Sequence, residues 1–254
     1  MSAGGTAEAK PPVDADRPDA GGLRFDFIAD LAHELRAPLS ALRLQAQVAC
    51  KLGSQAEREA MQGSLVESID RLIQMFDQLT VLARIRVSGF QGSELAAVDL
   101  ADLCAEAASS MSAAARRSNQ TLTRDLRPAT VMGHSFALQL AVRNLLENAL
   151  RYTPAGGGIR IRCGLDGDRA FIAIDDSGAG VVPAERERVF ERFVRLEAGQ
   201  PQGSGLGLSI VRLVASAHHG AAFLDHGPQG RGTTAMLRLP SIAPTPVSAG
   251  SGMP

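Results

Sequence analysis

Two consecutive apolar stripes at helical spacing restrict what the first third of this chain can fold into. Between residues 23 and 52 the apolar positions are Ile28, Leu31, Leu35, Leu39, Leu42, Ala46, Ala49 and Leu52. Steps of three and four put them on one face of a helix. Gly53-Ser54-Gln55 interrupts the pattern. A second stripe follows from about Ala56 to Arg86, at Met61, Leu65, Ile69, Leu72, Phe76, Leu79 and Leu82. Two long helices across a short turn make an antiparallel hairpin. A lone hairpin cannot bury such stripes on all sides, whereas two hairpins in a four-helix bundle can. A homodimer is therefore expected, with packing onto the rest of the same chain as the alternative.

Ser88-Gly89-Phe90-Gln91-Gly92-Ser93 is polar and Gly-rich and marks a boundary. It divides a hairpin domain, 23–88, from a second domain, 95–240, through a linker at 89–94. In the second domain Asp99 is a candidate N-cap for a helix to about Arg117. Thr121 to Leu126 alternates like a strand, and Ser135 to Tyr152 reads as a helix stopped by Thr153-Pro154 and the glycines after it. Strands are expected at Gly158–Leu165 and Arg169–Asp175, turning through Asp166-Gly167-Asp168. A helix from Leu206 to His219 closes at Gly220, and strands at Ala222–Asp225 and Thr233–Leu239 finish the domain. Helices grouped against hairpin-linked strands predict an α+β layer sandwich. Apolar content of 45% suffices for that core, and only 4% aromatics favours Leu, Ala and Val packing.

Several classes are disfavoured. A net charge of −1 gives no field for nucleic acid. No run approaches the ~20 apolar residues of a membrane span. Residues 1–22 lack a basic start and an apolar core, so they read as a disordered leader rather than a signal peptide. Residues 241–254 read as a disordered tail. Cys50, Cys104 and Cys163 are odd in number, distant in sequence and in no Cys-x-x-Cys pattern. A disulfide framework or zinc site is not expected, and a cytoplasmic location fits. That location includes the cytoplasmic part of a membrane-anchored protein. His218 and His219 are adjacent but lack companion ligands for a metal.

The chemistry lies in short motifs. His33 sits on the first helical pattern, followed by Glu34 and, five positions on, by Pro38. A neutral imidazole is a competent nucleophile near pH 7 and can carry a phosphoryl group. Pro38 has no N–H to offer the Glu34 carbonyl, so a kink beside His33 is expected. Asn144 and Asn148 stand one helical turn apart, and the amide oxygen of Asn148 suits Mg²⁺. Asp176, Gly178 and Gly180 follow a strand. Gly203, Gly205 and Gly207 open a helix, where backbone N–H groups and the dipole suit phosphate. No lysine follows, so this is not a Walker loop, and Gly-x-Gly-x-x-Gly is absent. A nucleophile followed by a nucleotide pocket suggests phosphoryl transfer from ATP to His33.

These stretches resemble the H, N, G1, F and G2 boxes of sensor histidine kinases, in family order from about Phe25 to Pro240. The resemblance implies a phosphotransfer hairpin that dimerises, followed by an ATP-binding domain of the Bergerat (GHKL) type. Glu34 would take the proton from the other ring nitrogen of His33. Asn144, Asn148, Arg151 and Tyr152 fall in the N box, with Mg²⁺ on Asn148. Asp176 would accept from the adenine amine while Gly178 and Gly180 let backbone approach the base. Phe190 and Phe193 match the F box. Gly203, Gly205, Leu206 and Gly207 match the G2 box, and Thr233 joins the nucleotide-binding set. Residues 193–202 would form a lid, with Arg195, and Arg192 beside it, placed to neutralise charge on the γ-phosphate. The implied partner is the receiver domain of a response regulator, and no receiver-like segment occurs in this chain.

Two positions depart from relatives of this type. In gyrase, MutL and heat-shock chaperone ATPases, a water-activating glutamate stands four residues before the Mg²⁺ asparagine. Here that position is Asn144, and an amide cannot act as a general base. Many histidine kinases carry Thr or Asn four residues after the histidine. Here it is Ala37, so weak phosphatase activity towards the regulator is expected, with a tolerated Ala and water held by other groups as the alternative. The rival readings are a GHKL-type ATPase and an ATP-gated dimeric scaffold without kinase activity.

Overall fold

The computed structural model describes residues 36, 39–51, 54–88, 90, 94–194, 196 and 205–242. It comprises two compact units, residues 1–73 and 74–254. The expectations for His33, Glu34, Ala37, Pro38, Arg195 and Gly203, for the leader and for most of the tail, lie outside the described residues.

In the first unit, α1 covers residues 39–49 and α2, Gln55–Ser88, starts after the turn and runs on into the second unit. The start of α2 is fixed by a reciprocal cap. Ser54 Oγ accepts from the Glu57 N–H at 3.2 Å, and Glu57 Oε2 accepts from the Ser54 N–H at 3.3 Å. The helices are tied midway along α1, where Gln45 donates to Ser64 Oγ at 3.0 Å and accepts from Ser68 Oγ at 2.9 Å. An apolar face of α2, which includes Ile69 and Phe76 of the stripe together with Val66 and Ile73 beside them, is not covered within one chain. Val66, Ile69, Ile73 and Phe76 are 44–57% exposed.

The second unit is built on sequence patterns of period two and 3.6. In chain order come β1 (Ala96–Asp99), α3 (Leu100–Arg117), β2 (Thr121–Leu126), β3 (Thr130–Gly133) and α4 (Ser135–Tyr152). Then follow β4 (Gly158–Asp166), β5 (Arg169–Asp176), α5 (Gly207–Ala217), β6 (Ala221–His226) and β7 (Thr233–Pro240). The main sheet has the order β2-β4-β5-β7-β6. Only β2 and β4 are parallel, with β3 and α4 forming the crossover between them. Strands β4 and β5 make a tight hairpin in which Asp166 faces Arg169. Gly167 (φ 63°) supplies the positive φ that such a two-residue turn needs.

Alternation sorts the sheet's faces. Ile159, Ile161, Ile172, Ile174 and Leu237 are buried beneath Leu138, Leu145 and Leu146 of α4 and Ile210 of α5. Arg160, Arg162 and Asp175 point the other way. Asp175 accepts from Arg160 at 3.1 Å, from Arg162 at 2.7 and 2.9 Å, and from Thr234 Oγ1 at 2.8 Å. Cys104 and Cys163, distant in sequence, meet as free thiols in the core between α3 and β4. The hydrogen bond to Cys163, together with burial, pushes the Cys104 thiol far up, so it stays protonated.

The expected Asp99 cap is present, its Oδ1 accepting from the Ala101 N–H at 2.7 Å. Strands β1 and β3, which pair antiparallel as a separate small sheet, were not among the sequence expectations. At four residues each they carry too few positions to display a period. Among the described residues, no helix is long and apolar enough to cross a membrane.

Candidate functional site

A cavity of about 200 Å³ opens between the helices and the sheet of the second unit. Helix α4 contributes one wall with Leu145, Asn148, Ala149, Arg151 and Tyr152. The floor is Ile174 and Asp176 of β5 with Thr233 and Ala235 of β7. Ala179, Gly180 and Val181 close one side, and Gly205, Gly207 and Leu208 another. The result is an apolar slot with a few fixed polar groups, the usual make-up of a small-molecule site.

Asp176 is the fixed acid of the slot. Its Oδ1 accepts from the N–H groups of Gly178 at 2.8 Å and Thr233 at 3.2 Å. Burial pushes its carboxyl above the ordinary range, and those N–H groups only partly offset the shift. Two glycines let backbone pass close behind it. Gly232 holds φ 70°, and a Cβ there would lie 1.8 Å from the Asp176 carbonyl oxygen. Gly180 holds φ 80°, and a Cβ there would lie 2.9 Å from the Gly232 carbonyl oxygen.

Of the expected nucleotide-binding residues, Asn148, Arg151, Tyr152, Asp176, Gly180, Gly205, Gly207 and Thr233 share this wall. Four others lie off it. Gly178 backs onto the Tyr152 carbonyl, where a Cβ would stand 2.4 Å away. Leu206 is fully buried ahead of α5. Phe190 is buried, with the Arg212 guanidinium 4.3 Å from its ring centroid. Phe193, at φ 62°, donates its N–H to the Gly205 carbonyl at 3.1 Å, so the F and G2 stretches meet there.

Asn144 does not line the cavity. Four residues along a helix advance the azimuth by about 400°, leaving it about 40° off Asn148. Its amide is buried and already paired. It donates to the Leu140 carbonyl and accepts from Gln78 Nε2, both at 2.9 Å. It abuts Gly207, whose missing Cβ leaves room for its Oδ1. The adjacent histidines are also accounted for. His218 Nε2 accepts from the His134 N–H at 2.9 Å, so Nδ1 carries the proton and donates to the Val214 carbonyl at 2.7 Å. Burial holds this imidazole below its ordinary range. Among the described residues no cluster of metal-binding side chains forms.

The motifs missed Val181, Val189, Val194, Leu196, Leu208, Leu224 and Ala235, which also line the slot. Leu224 and Ala235 lie on strands, where an apolar residue looks the same under a ligand as under a helix, and the other five are apolar residues of loops and helical turns with no spacing that marks them.

Comparison with known proteins agrees with this geometry. Residues 133–242 match the family model for the histidine kinase-, DNA gyrase B- and HSP90-like ATPase, and residues 23–87 match the His Kinase A (phospho-acceptor) domain. The chain is 35% identical over 219 residues to the sensor protein kinase PmrB of Pseudomonas aeruginosa, covering 85% of this chain and 45% of that protein. It is 34% identical to the sensor protein BasS of Escherichia coli K12, covering 84% of this chain and 57% of that protein. The chain thus spans about half the length of the curated relatives it matches. Among solved structures, a mycobacterial sensor histidine kinase, MprB, matches at 34% identity and a TM-score of 0.51, over 58% of this chain and 97% of that one. Full-length ShkA in complex with AMPPNP matches at 29% identity and a TM-score of 0.63, over 87% of this chain and 46% of that one. A phospho-acceptor hairpin followed by this ATPase fold, in this order, places the chain in the family of two-component sensor histidine kinases.

Proposed function

We propose that this chain is a kinase core that transfers the γ-phosphoryl group of ATP to His33 and then passes it to an aspartate on a response regulator. The observation that supports this most is the convergence of Asn148, Asp176, Gly180, Gly205, Gly207 and Thr233 on one slot from separate parts of the sequence. The slot fits a nucleotide. Its apolar floor suits a base, Asp176 can accept from an exocyclic amine, and Gly205 and Gly207 expose backbone at the start of α5. Asn148 would hold Mg²⁺, which when bound spreads the charge of the phosphate oxygens. In the transfer, a ring nitrogen of His33 forms a bond to phosphorus as the bond to the ADP oxygen breaks. Glu34 takes the proton from the other ring nitrogen.

The hairpin is the proposed dimer interface, and a receiver domain is the proposed second partner. The exposed Val66, Ile69, Ile73 and Phe76 support the first. A simple ATPase fits less well, because the amide of Asn144 is engaged by Leu140 and Gln78 and cannot act as a base. Incubation with γ-labelled ATP separates the readings. A kinase leaves acid-labile label on the protein, an ATPase releases phosphate, and a scaffold does neither. His33→Gln is expected to abolish the label while ATP affinity persists. Label retained by that variant would refute the assignment.

A further inference from the structure

The stretch 177–187 closes one side of the slot with little regular structure, only a single short helical turn at Pro183–Glu185. Arg186 holds it in place. Its Nε donates to the Val181 carbonyl at 3.2 Å, and its Nη1 donates to Asp225 Oδ1 on β6 at 3.1 Å. Val181 lines the slot, and so does Leu224, the residue before Asp225. One planar guanidinium thus ties together two walls on the side of the slot that carries Asp176. Its third nitrogen, Nη2, is buried without a hydrogen-bond partner among the described residues. The Arg186 side chain is 16% exposed, whereas that of Asp225 is 65% exposed. Space-filling alone does not explain a cationic donor left unpaired, since an aliphatic side chain would fill the volume without that cost.

We infer that Arg186 is a positioning residue for the nucleotide base, acting through Val181 and β6 rather than by touching the ligand. This rests on reading the slot as the ATP site. Arg186 lies outside the five sequence motifs. The fork geometry sets the distance between the Val181 and Leu224 walls, and that distance sets how closely a planar base is clasped. Gly205 and Gly207, where phosphate would bind, lie at the start of α5 and take no part in the Arg186 bonds. Loss of the fork should therefore weaken ATP capture more than the transfer step.

The test uses the full chain and MgATP. Arg186→Gln, Arg186→Lys, Asp225→Ala and the Arg186→Gln/Asp225→Ala double variant are compared with wild type. Arg238→Gln, which removes an exposed ion pair to Asp166 at 3.1 Å, is the control. Calorimetry reads ATP affinity, autophosphorylation gives KM and kcat separately, and thermal melting without nucleotide reads the fold. Arg186→Gln is expected to raise KM for ATP about five- to tenfold with kcat changed less than about twofold. Arg186→Lys should recover part of that loss, and Asp225→Ala should raise KM about two- to threefold. In the double variant Asp225→Ala should add nothing further. The inference is overturned if Arg186→Gln leaves KM within about twofold of wild type, or lowers kcat and melting temperature while KM holds. It is also overturned if the two substitutions add independently. Because Asp225 is exposed, its variant reads the contact even if Arg186→Gln does not fold. If wild type binds no ATP, the reading of the slot fails and this inference goes with it. If wild type binds and the variants match it, only this inference fails.

Discussion

Asp175 and Asp176 are neighbours at the end of β5, and the pleat gives them opposite surroundings. Asp176 faces the slot, and burial raises its carboxyl. Asp175 faces the open side of the sheet. There burial also pushes upward, but hydrogen bonds from Arg162, Thr234 and Arg160 outweigh it and hold the carboxyl below its ordinary range. A carboxyl depressed on folding contributes stability above its unfolded pKa of about 3.9 and loses it as the pH falls through the lower folded value. Asp175→Asn should therefore cost about 2 kcal/mol at pH 7 in denaturant unfolding, with the gap from wild type closing below about pH 4. A gap independent of pH would show that the charge is not what stabilises. A second residue-scale expectation concerns Ala37. If its methyl group explains weak phosphatase activity, Ala37→Thr should speed regulator dephosphorylation measured with ADP present. Equal rates in both proteins would count against that role. At this scale the sequence was legible where chemistry needs a rare residue in a fixed setting, as with Asp176 after a strand and before glycines. It was not legible for Val181, Leu224 or Ala235, or for Arg186, whose partner Asp225 is distant in sequence.

Among the elements, α3 depends on its cap. Asp99→Ala removes the acceptor of the Ala101 N–H and should lower stability by about 1 kcal/mol in thermal or denaturant unfolding. Asp99→Ser should restore most of that loss, because a hydroxyl can cap as well. Helices α3 and α4 and strand β2 were readable because caps, periodicity and the Thr153-Pro154 stop agree with one another. Strands β1 and β3 were not readable, because their pairing is set by tertiary proximity rather than by local pattern. Asn144 was read from its motif spacing, but its amide is committed to Leu140 and Gln78, and the sequence records neither bond.

For the molecule as a whole, the exposed face of α2 makes the strongest demand. Val66, Ile69, Ile73 and Phe76 recur at steps of three and four along one side. Ile73→Glu should shift sedimentation equilibrium from dimer towards monomer at micromolar concentration, whereas an exposed polar change such as Gln62→Glu should not. A dimer unaffected by Ile73→Glu would place the interface elsewhere. The sequence pattern places a boundary after Ser88, whereas the two compact units of the structure meet inside α2, between Ile73 and Gln74.

The strand order β2-β4-β5-β7-β6 also bears on how the chain is made. β7, the last strand among the described residues, sits in the interior of the sheet and supplies Thr233 and Ala235 to the slot floor. Until residue 240 is synthesised, β5 and β6 have no partner between them, and the nascent ATP domain is an open sheet with two raw edges. The hairpin at the front of the chain is complete long before that. The hairpin proposed to dimerise is therefore finished before the slot is. For the same reason a truncation that reaches back to Thr233 does not trim a frayed end. It removes an interior strand, and with it the Thr233 and Ala235 floor on which a nucleotide would sit.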